Sequence, residues 1–288
     1  MELRVDEYSL TGTPAYGGLR YCFKRYCNSS LLPRSSPGMV LLLMHGIGSH
    51  KESWEPVLEH LFTLEKNSTL RGSIKEAWCM DSPNHGQGAI WNDAILEKIS
   101  MKSPHVVHGW HMLLSSGLMD RGTVIAIGHS AGSICLTLAT NGFPLERLPF
   151  SHLILVEPVM IPRQLQIKTY ALRDLPTETY PNEREGVTLS TPRMQEAVGY
   201  LDHEAALGGF VRFSEICSSL PVHCIYGERQ DLITDEQRDA IHGEHIVASV
   251  ATVAGAGHMI PQEDPEGLAQ ALWTVMKGSV TEISGSRL

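Results

Sequence analysis

The chain contains no apolar run of about 18 residues, so no segment reads as a transmembrane helix. It also lacks basic excess. A formal net charge of −9 argues against a nucleic-acid partner, because phosphate binding needs a basic face. The start, Met1-Glu-Leu-Arg-Val-Asp-Glu7, is charged and has no apolar stretch, so no secretory signal is expected. Cys22, Cys27, Cys79, Cys135, Cys217 and Cys224 follow no zinc-site spacing. Without a secretory signal a disulfide framework is not expected either, and the cysteines read as free thiols. Histidine pairs such as His45/His50 and His108/His111 lack companion ligands, so neither a metal nor a cofactor is expected. There is no internal repeat and no low-complexity segment.

What is present is a chain of 288 residues, 42% hydrophobic, long enough to bury a large core. One α/β domain carrying an inserted subdomain fits this length better than two independent domains. Residues 1–30 read as an antiparallel strand pair turning near Gly17-Gly18. Met39–Met44 and Thr123–Ile127 are short apolar runs of the kind buried on both faces of a sheet, and Glu76–Met80, Leu153–Val156, Pro221–Tyr226 and His245–Val253 read as further strands. Helical spacing predicts helices over Trp54–Leu64, residues 104–119 and Ser133–Thr140. A last helix has Asp264 as N-cap, Pro265 at its first position and Gly278 just past its end. Strands alternating with helices imply a mostly parallel sheet with helices on both faces, and a site at the carboxyl ends of the strands. Residues 1–158 and 221–278 would form the core, 159–220 a helical lid inserted before the last strands, and 279–288 a flexible tail.

The stretch that carries most chemistry is Gly128-His-Ser-Ala-Gly132. It has the G-x-S-x-G pattern of a nucleophile elbow, a sharp strand-to-helix turn that presents a serine hydroxyl. The pattern is short, and its context carries it: a β-branched apolar run precedes it and a helical run follows. Ser130 is the candidate nucleophile. Serine needs a base to take its proton, and His258, after the last strand in Gly255-Ala-Gly-His258, is placed for this. The histidine in turn needs an acid, expected between serine and histidine in chain order. Glu157 and Asp231 both follow predicted strands, and the residues alone leave the choice open. Backbone N–H groups of Ala131 and Ile47 are the candidate oxyanion donors, with His45-Gly46 shaping the second loop and His45 itself structural.

Taken together, His45-Gly-Ile-Gly-Ser-His-Lys-Glu-Ser-Trp-Glu-Pro56, Asp81-Ser-Pro-Asn-His-Gly-Gln87, Gly128–Gly132 and Leu155-Val-Glu-Pro-Val159 resemble the α/β-hydrolase fold. Within it they resemble fungal hydrolases of toxin and secondary-metabolite clusters, the group of peroxisomal lipase-like proteins and mycophenolic-acid-type acyl-CoA hydrolases. The resemblance implies a serine hydrolase that cleaves a small-molecule ester or acyl thioester through an acyl-enzyme. It also implies that the acid follows the strand after the nucleophile helix, which is Glu157. Asp231 stays in play, since this fold more commonly places its acid there, although Gln230 holds the usual slot. Ala131 and Ser133 stand where Met and Gly are common in the group. An acyltransferase, cyclase or lyase on the same scaffold is an alternative, and a non-catalytic binding protein is another.

The 159–220 segment holds six Lys/Arg (Arg163, Lys168, Arg173, Arg184, Arg193, Arg212) against eight Asp/Glu, a poor match to the anionic coenzyme A. That favours a neutral ester or lactone. Ser286-Arg287-Leu288 ends the sequence as a conservative variant of the peroxisomal Ser-Lys-Leu address, which a peroxisomal import receptor would read. The expected location is the peroxisome, with the cytoplasm as the alternative.

Overall fold

The computed structural model describes residues 3–28, 38–70, 73–120, 122–160, 191, 193–243 and 245–285. Nine-residue strands β1 (Leu3–Thr11) and β2 (Arg20–Asn28) form the antiparallel pair expected near the start, turning through Gly17 and Gly18. Six further strands follow: β3 (Met39–Met44), β4 (Ile74–Met80), β5 (Thr123–His129), β6 (His152–Val156), β7 (Val222–Gly227) and β8 (Ser249–Val253). They join one eight-stranded sheet in the order β1-β2-β4-β3-β5-β6-β7-β8. β2 runs antiparallel to β4, and every neighbouring pair from β4 through β8 is parallel. This is the α/β-hydrolase fold.

Every residue of β3, β4, β6 and β7 is buried; β3 is apolar throughout, as such a strand is expected to be, whereas β4 also buries Lys75 and Glu76, the latter paired with Arg25 at 2.6 Å. Side-chain alternation then splits the core in two. Val40, Leu42 and Met44 point into one layer with Trp110 of α3 (Ser103–Ser115), Leu136 of α4 (Ala131–Leu138) and Phe213. Leu41 and Leu43 point into the other, with Leu61 of α1 (Glu55–Lys66) and Leu272 of the last helix. β3 continues to β4 on one side, while β5 lies on its other side, so the loops after β3 and β5 meet where the strand order reverses.

Several helices differ from the sequence expectation. α2 (Gly86–Leu96) is a helix in a stretch for which the sequence predicts no element. Two glycines sit within its first three positions, and its N-terminus is held from outside, by the Asp81 carboxylate accepting from Gln87 N at 3.0 Å. The helix before β5 begins and ends earlier than predicted, at Ser103–Ser115. The last strand is Ser249–Val253, shorter at its start than 245–253. The last helix runs Pro265–Gly285, straight through Gly278, where a Cβ would meet open space. An exposed glycine in a helix interior costs only about 1 kcal/mol relative to alanine, so it does not stop the helix. Residues 279–285 are therefore helical rather than tail.

Within 159–220, α5 (Arg193–Leu201) and α6 (His203–Ile216) are helical, as a helical insertion requires. α6 buries Phe213 and Ile216 completely in the core layer beside α4. That half of the segment belongs to the sandwich rather than to a lid. The remaining short helices are α7 (Asp235–His242) and α8 (Ile260–Glu263), ahead of the long last helix α9.

Trp54 is fully buried in the α1/α9 layer, and its indole N–H has no hydrogen-bond partner. Its contribution is packing alone. Trp54→Ala is expected to lower the unfolding free energy by about 3–5 kcal/mol in urea denaturation. A loss below about 1 kcal/mol would mean that this layer collapses around the cavity.

Candidate active site

Ser130 lies between β5 and α4 with φ 53 and ψ −122. Such a backbone costs a non-glycine residue on the order of 1–3 kcal/mol, so its surroundings must hold it. Ser130 N donates to Val156 O at 2.9 Å, Ser133 N donates to Ser130 O at 3.0 Å, and Ser133 Oγ donates to Gly128 O at 2.7 Å. Packing also demands a glycine here, because a Cβ on Gly132 would fall 2.4 Å from Met44 O. Among the described residues one other non-glycine residue has positive φ, and it is Glu157 (φ 48), just after β6.

These two residues meet at one imidazole. His258 Nε2 is 3.0 Å from Ser130 Oγ, and His258 Nδ1 is 3.0 Å from Glu157 Oε2. A carboxylate only accepts, so Nδ1 carries the hydrogen and Nε2 accepts from the serine hydroxyl. Glu157 is fully buried. Its second oxygen, Oε1, accepts from Gly227 N at 2.8 Å and lies 3.6 Å from Nη2 of Arg238 on α7. Arg238 in turn donates to Gly227 O at 2.8 Å, with its guanidinium 4.7 Å from the centre of the Tyr226 ring. Sequence reading did not single out Arg238, which lies far from Glu157 along the chain.

Asp231 does not reach the imidazole. Its Oδ1 accepts from the main-chain N–H of His258 at 2.8 Å, and Oδ2 pairs with Arg229 at 3.5 Å. Its side chain is 44% exposed, against none of Glu157. Asp231 thus shapes the turn that presents His258, while Glu157 faces the ring.

The loop after β3 stands against the elbow, and a Cβ on Gly46 would fall 2.9 Å from Ser130 Cβ. Two neutral histidines hold this loop. His45 donates from Nδ1 to Gly46 O at 2.7 Å and accepts at Nε2 from Ser82 N at 3.0 Å. His85 donates from Nδ1 to Asn84 Oδ1 at 2.8 Å and accepts at Nε2 from Gly48 N at 3.1 Å. A third, His129, donates from Nε2 to His258 O at 2.8 Å. Burial lowers the pKa of all three, His85 and His129 to about 3, with a neighbouring histidine adding repulsion for each of those two. His85 and Asn84 lie within the Asp81–Gln87 run, whose composition alone assigns them no role.

The His50-Lys-Glu-Ser-Trp-Glu-Pro56 run anchors the far side of the loop. Lys51 Nζ meets Asp81 Oδ2 at 2.7 Å, and Lys51 N donates to Asp81 Oδ1 at 2.8 Å. Burial opposes the Lys51 charge, but Asp81 and Glu52 outweigh it and hold its pKa above the ordinary lysine value. Glu55 accepts from Tyr26 O–H at 2.8 Å and pairs with Lys24 at 3.2 Å. The motif, in which Lys51 and Trp54 are buried, is a scaffold two residues past the candidate oxyanion loop rather than a set of reacting groups.

α5 lies over this loop: a Cβ on Gly199 would fall 3.0 Å from Ile47 Cδ1, and Asn84 Nδ2 donates to Gln195 O at 2.9 Å. Beneath it, a cavity of about 70 Å³ is lined by Ile47 and Ala131 among others. Of the basic residues in 159–220, Arg212 is tied to Thr140 and Glu215, away from this cavity. Arg163, Lys168, Arg173 and Arg184 lie outside the described residues, as do Ser286, Arg287 and Leu288. All six cysteines are unbridged.

The buried histidines couple stability to pH. Their folded pKa values lie below the unfolded value near 6.5, so the unfolded chain takes up protons first on acidification. The stability they contribute is present above pH about 6.5 and is lost as pH falls toward about 3. Each histidine with a pKa near 3 should account for about 2 kcal/mol of loss by pH 5. Thermal melts between pH 7.5 and 5 are expected to show a falling midpoint, and His85→Gln to flatten that slope. An unchanged slope in the variant would remove His85 from the account.

Residues 40–271 match the model of the alpha/beta hydrolase family. Among curated proteins, no sequence is matched. Solved structures with the same fold include the peroxisomal alpha-beta-hydrolase Lpx1 of Saccharomyces cerevisiae, at TM-score 0.74 and 16% identity, over 96% of this chain and 89% of that one. The thioesterase domain from the curacin biosynthetic pathway aligns at TM-score 0.63 and 16% identity, over 93% and 99% of the two chains. An esterase from Thermogutta terrifontis aligns at TM-score 0.61 and 17% identity, over 95% and 98%. At these identities the likeness is one of fold, and it is the family match across most of the sequence that makes this chain a member of the alpha/beta hydrolase family.

Proposed function

We propose that the protein is a serine hydrolase that cleaves a carboxylic ester or thioester through an acyl-enzyme. The observation that carries the reading is the continuous hydrogen-bonded line from Ser130 Oγ through His258 to the buried Glu157. His258 takes the proton of Ser130 as Oγ attacks the carbonyl carbon. The oxyanion then sits on the N–H groups of Ala131 and Ile47. Ala131 is the first residue of α4, where a backbone N–H has no intrahelical partner and the helix dipole favours negative charge. His258 next protonates the leaving oxygen or sulfur, and the carbonyl–heteroatom bond breaks. A water then gives its proton to His258 as its oxygen bonds to the acyl carbon, the Ser130 Oγ–acyl bond breaks, Oγ takes that proton back from His258, and the acid leaves.

Glu157 holds the imidazole in its working tautomer and offsets the imidazolium charge as it forms. Asp231 supports the turn only. The resemblance to fungal secondary-metabolite hydrolases supports a place in such a pathway. The Ser286-Arg287-Leu288 ending supports delivery to the peroxisome.

Ser130→Ala and Glu157→Ala are expected to lower kcat/KM for p-nitrophenyl esters by about a thousand-fold or more, with Asp231→Ala costing less than about tenfold. Equal turnover by Ser130→Ala and wild type would refute the mechanism, and a larger loss at Asp231 than at Glu157 would exchange the acids. A fluorescent protein fused to the N-terminus should give a punctate peroxisomal signal. The same protein fused to the C-terminus should give a diffuse one, and a punctate signal there would count against the address.

A further inference from the structure

We propose that the cavity under α5 receives the acyl part of the substrate, and that this part is short, about two to four carbons, and uncharged. The inference rests on Ser130 as the nucleophile and adds which side of the substrate lies where.

The direction follows from the mechanism's own geometry. The leaving group must take its proton from His258 Nε2, so it lies on the His258 side of Ser130 Oγ. The oxyanion points at Ala131 and Ile47. The third substituent of the carbonyl carbon, the acyl chain, has the remaining direction. The cavity is lined by Ala131, Ile47, Met101, Val106, Ile134 and Ala205, among others, and by neither His258 nor Glu157. Ser130 does not line it either, so the cavity begins at Ala131 and Ile47, next to the nucleophile, and borders the oxyanion donors rather than the histidine, on the side left for the acyl chain.

Its size limits that chain. The cavity holds about 70 Å³. An apolar cavity of about 150 Å³ accommodates benzene, with six carbons, so about half that volume accommodates about three. Met101, Val106 and Ile134 are all at least 93% buried, packed into the core layer, and so form a firm wall.

Its chemistry excludes a charged acyl group. Asn84 Oδ1 accepts from Ser82 and His85, and its Nδ2 is taken by Gln195 O. Both ring nitrogens of His85 are occupied. Asp202 Oδ1 accepts from Ala205 N, and Oδ2 from Ser103 N and Oγ, so its charge caps α6 and faces no free partner. Lys102 stands at the exposed rim, where solvent screens it. A carboxylate carried past that rim would lose its water and meet side-chain donors already spent, with the Asp202 carboxylate repelling it.

The test is kcat/KM for p-nitrophenyl acetate, butyrate, hexanoate and octanoate, and for mono-p-nitrophenyl succinate, with wild type, Val106→Ala, Met101→Ala and Ser130→Ala. Acetate or butyrate is expected to exceed octanoate by at least about 30-fold, and butyrate to exceed the anionic succinate by at least about tenfold. Val106→Ala should move the optimum toward hexanoate. Met101→Ala should do the same if the first variant does not fold. Ser130-dependent hydrolysis fastest on octanoate, or as fast on succinate as on butyrate, overturns the pocket assignment while leaving the nucleophile in place. Hydrolysis that survives Ser130→Ala overturns the nucleophile, and the pocket with it.

Discussion

The site depends on the close approach of two backbones. The first turn of α4 lies so near the end of β3 that a Cβ at Gly132 would fall 2.4 Å from Met44 O. The loop after β3 lies so near the elbow that a Cβ at Gly46 would fall 2.9 Å from Ser130 Cβ. Side chains at either position would push the loop after β3 and the elbow apart. Because that approach is made, the serine, the start of α4 and the Gly46–Gly48 loop share one small space. The strand-order reversal between β3 and β5 permits this, since it leaves a crevice between two loops that leave the sheet in opposite directions.

Around that approach the molecule uses charge sparingly. His45, His85 and His129 are kept neutral by burial, and each spends its ring nitrogens on holding backbone or a neighbouring side chain. Two fully buried carboxylates carry charge here, each with a cationic partner. One is Asp81, whose pair with Lys51 anchors the loop from behind. The other is Glu157, which has Arg238 at its back and His258 at its front. Buried charges tolerate their surroundings only when paired and hydrogen-bonded, and both of these are. With its other ionisable groups neutral or turned outward, the space beside Ala131 suits an uncharged group.

Much of this was legible in the sequence. The apolar runs of β3 and β6 announce themselves because strands buried on both faces have no polar side to alternate with. The elbow and His258 are readable because each sits between a recognisable strand and a helix. α2 was not readable, because its N-terminus is satisfied by Asp81 from outside the helix and its first turn carries two glycines. Gly278 misled as a helix end because nothing near it needs the space that it leaves.

The sequence by itself determined the fold class, the candidate nucleophile and the candidate base, since these follow from local patterns of burial and turn chemistry. Only the tertiary structure decided which carboxylate faces the histidine. Glu157 and Asp231 both follow strands and both hydrogen-bond His258. One meets the ring and the other the main chain, a distinction set by side-chain direction at the ends of β6 and β7 and by the positive φ of Glu157. The roles of Arg238, His85 and the Lys51 motif were likewise settled in three dimensions, because each acts on residues far from it in the chain.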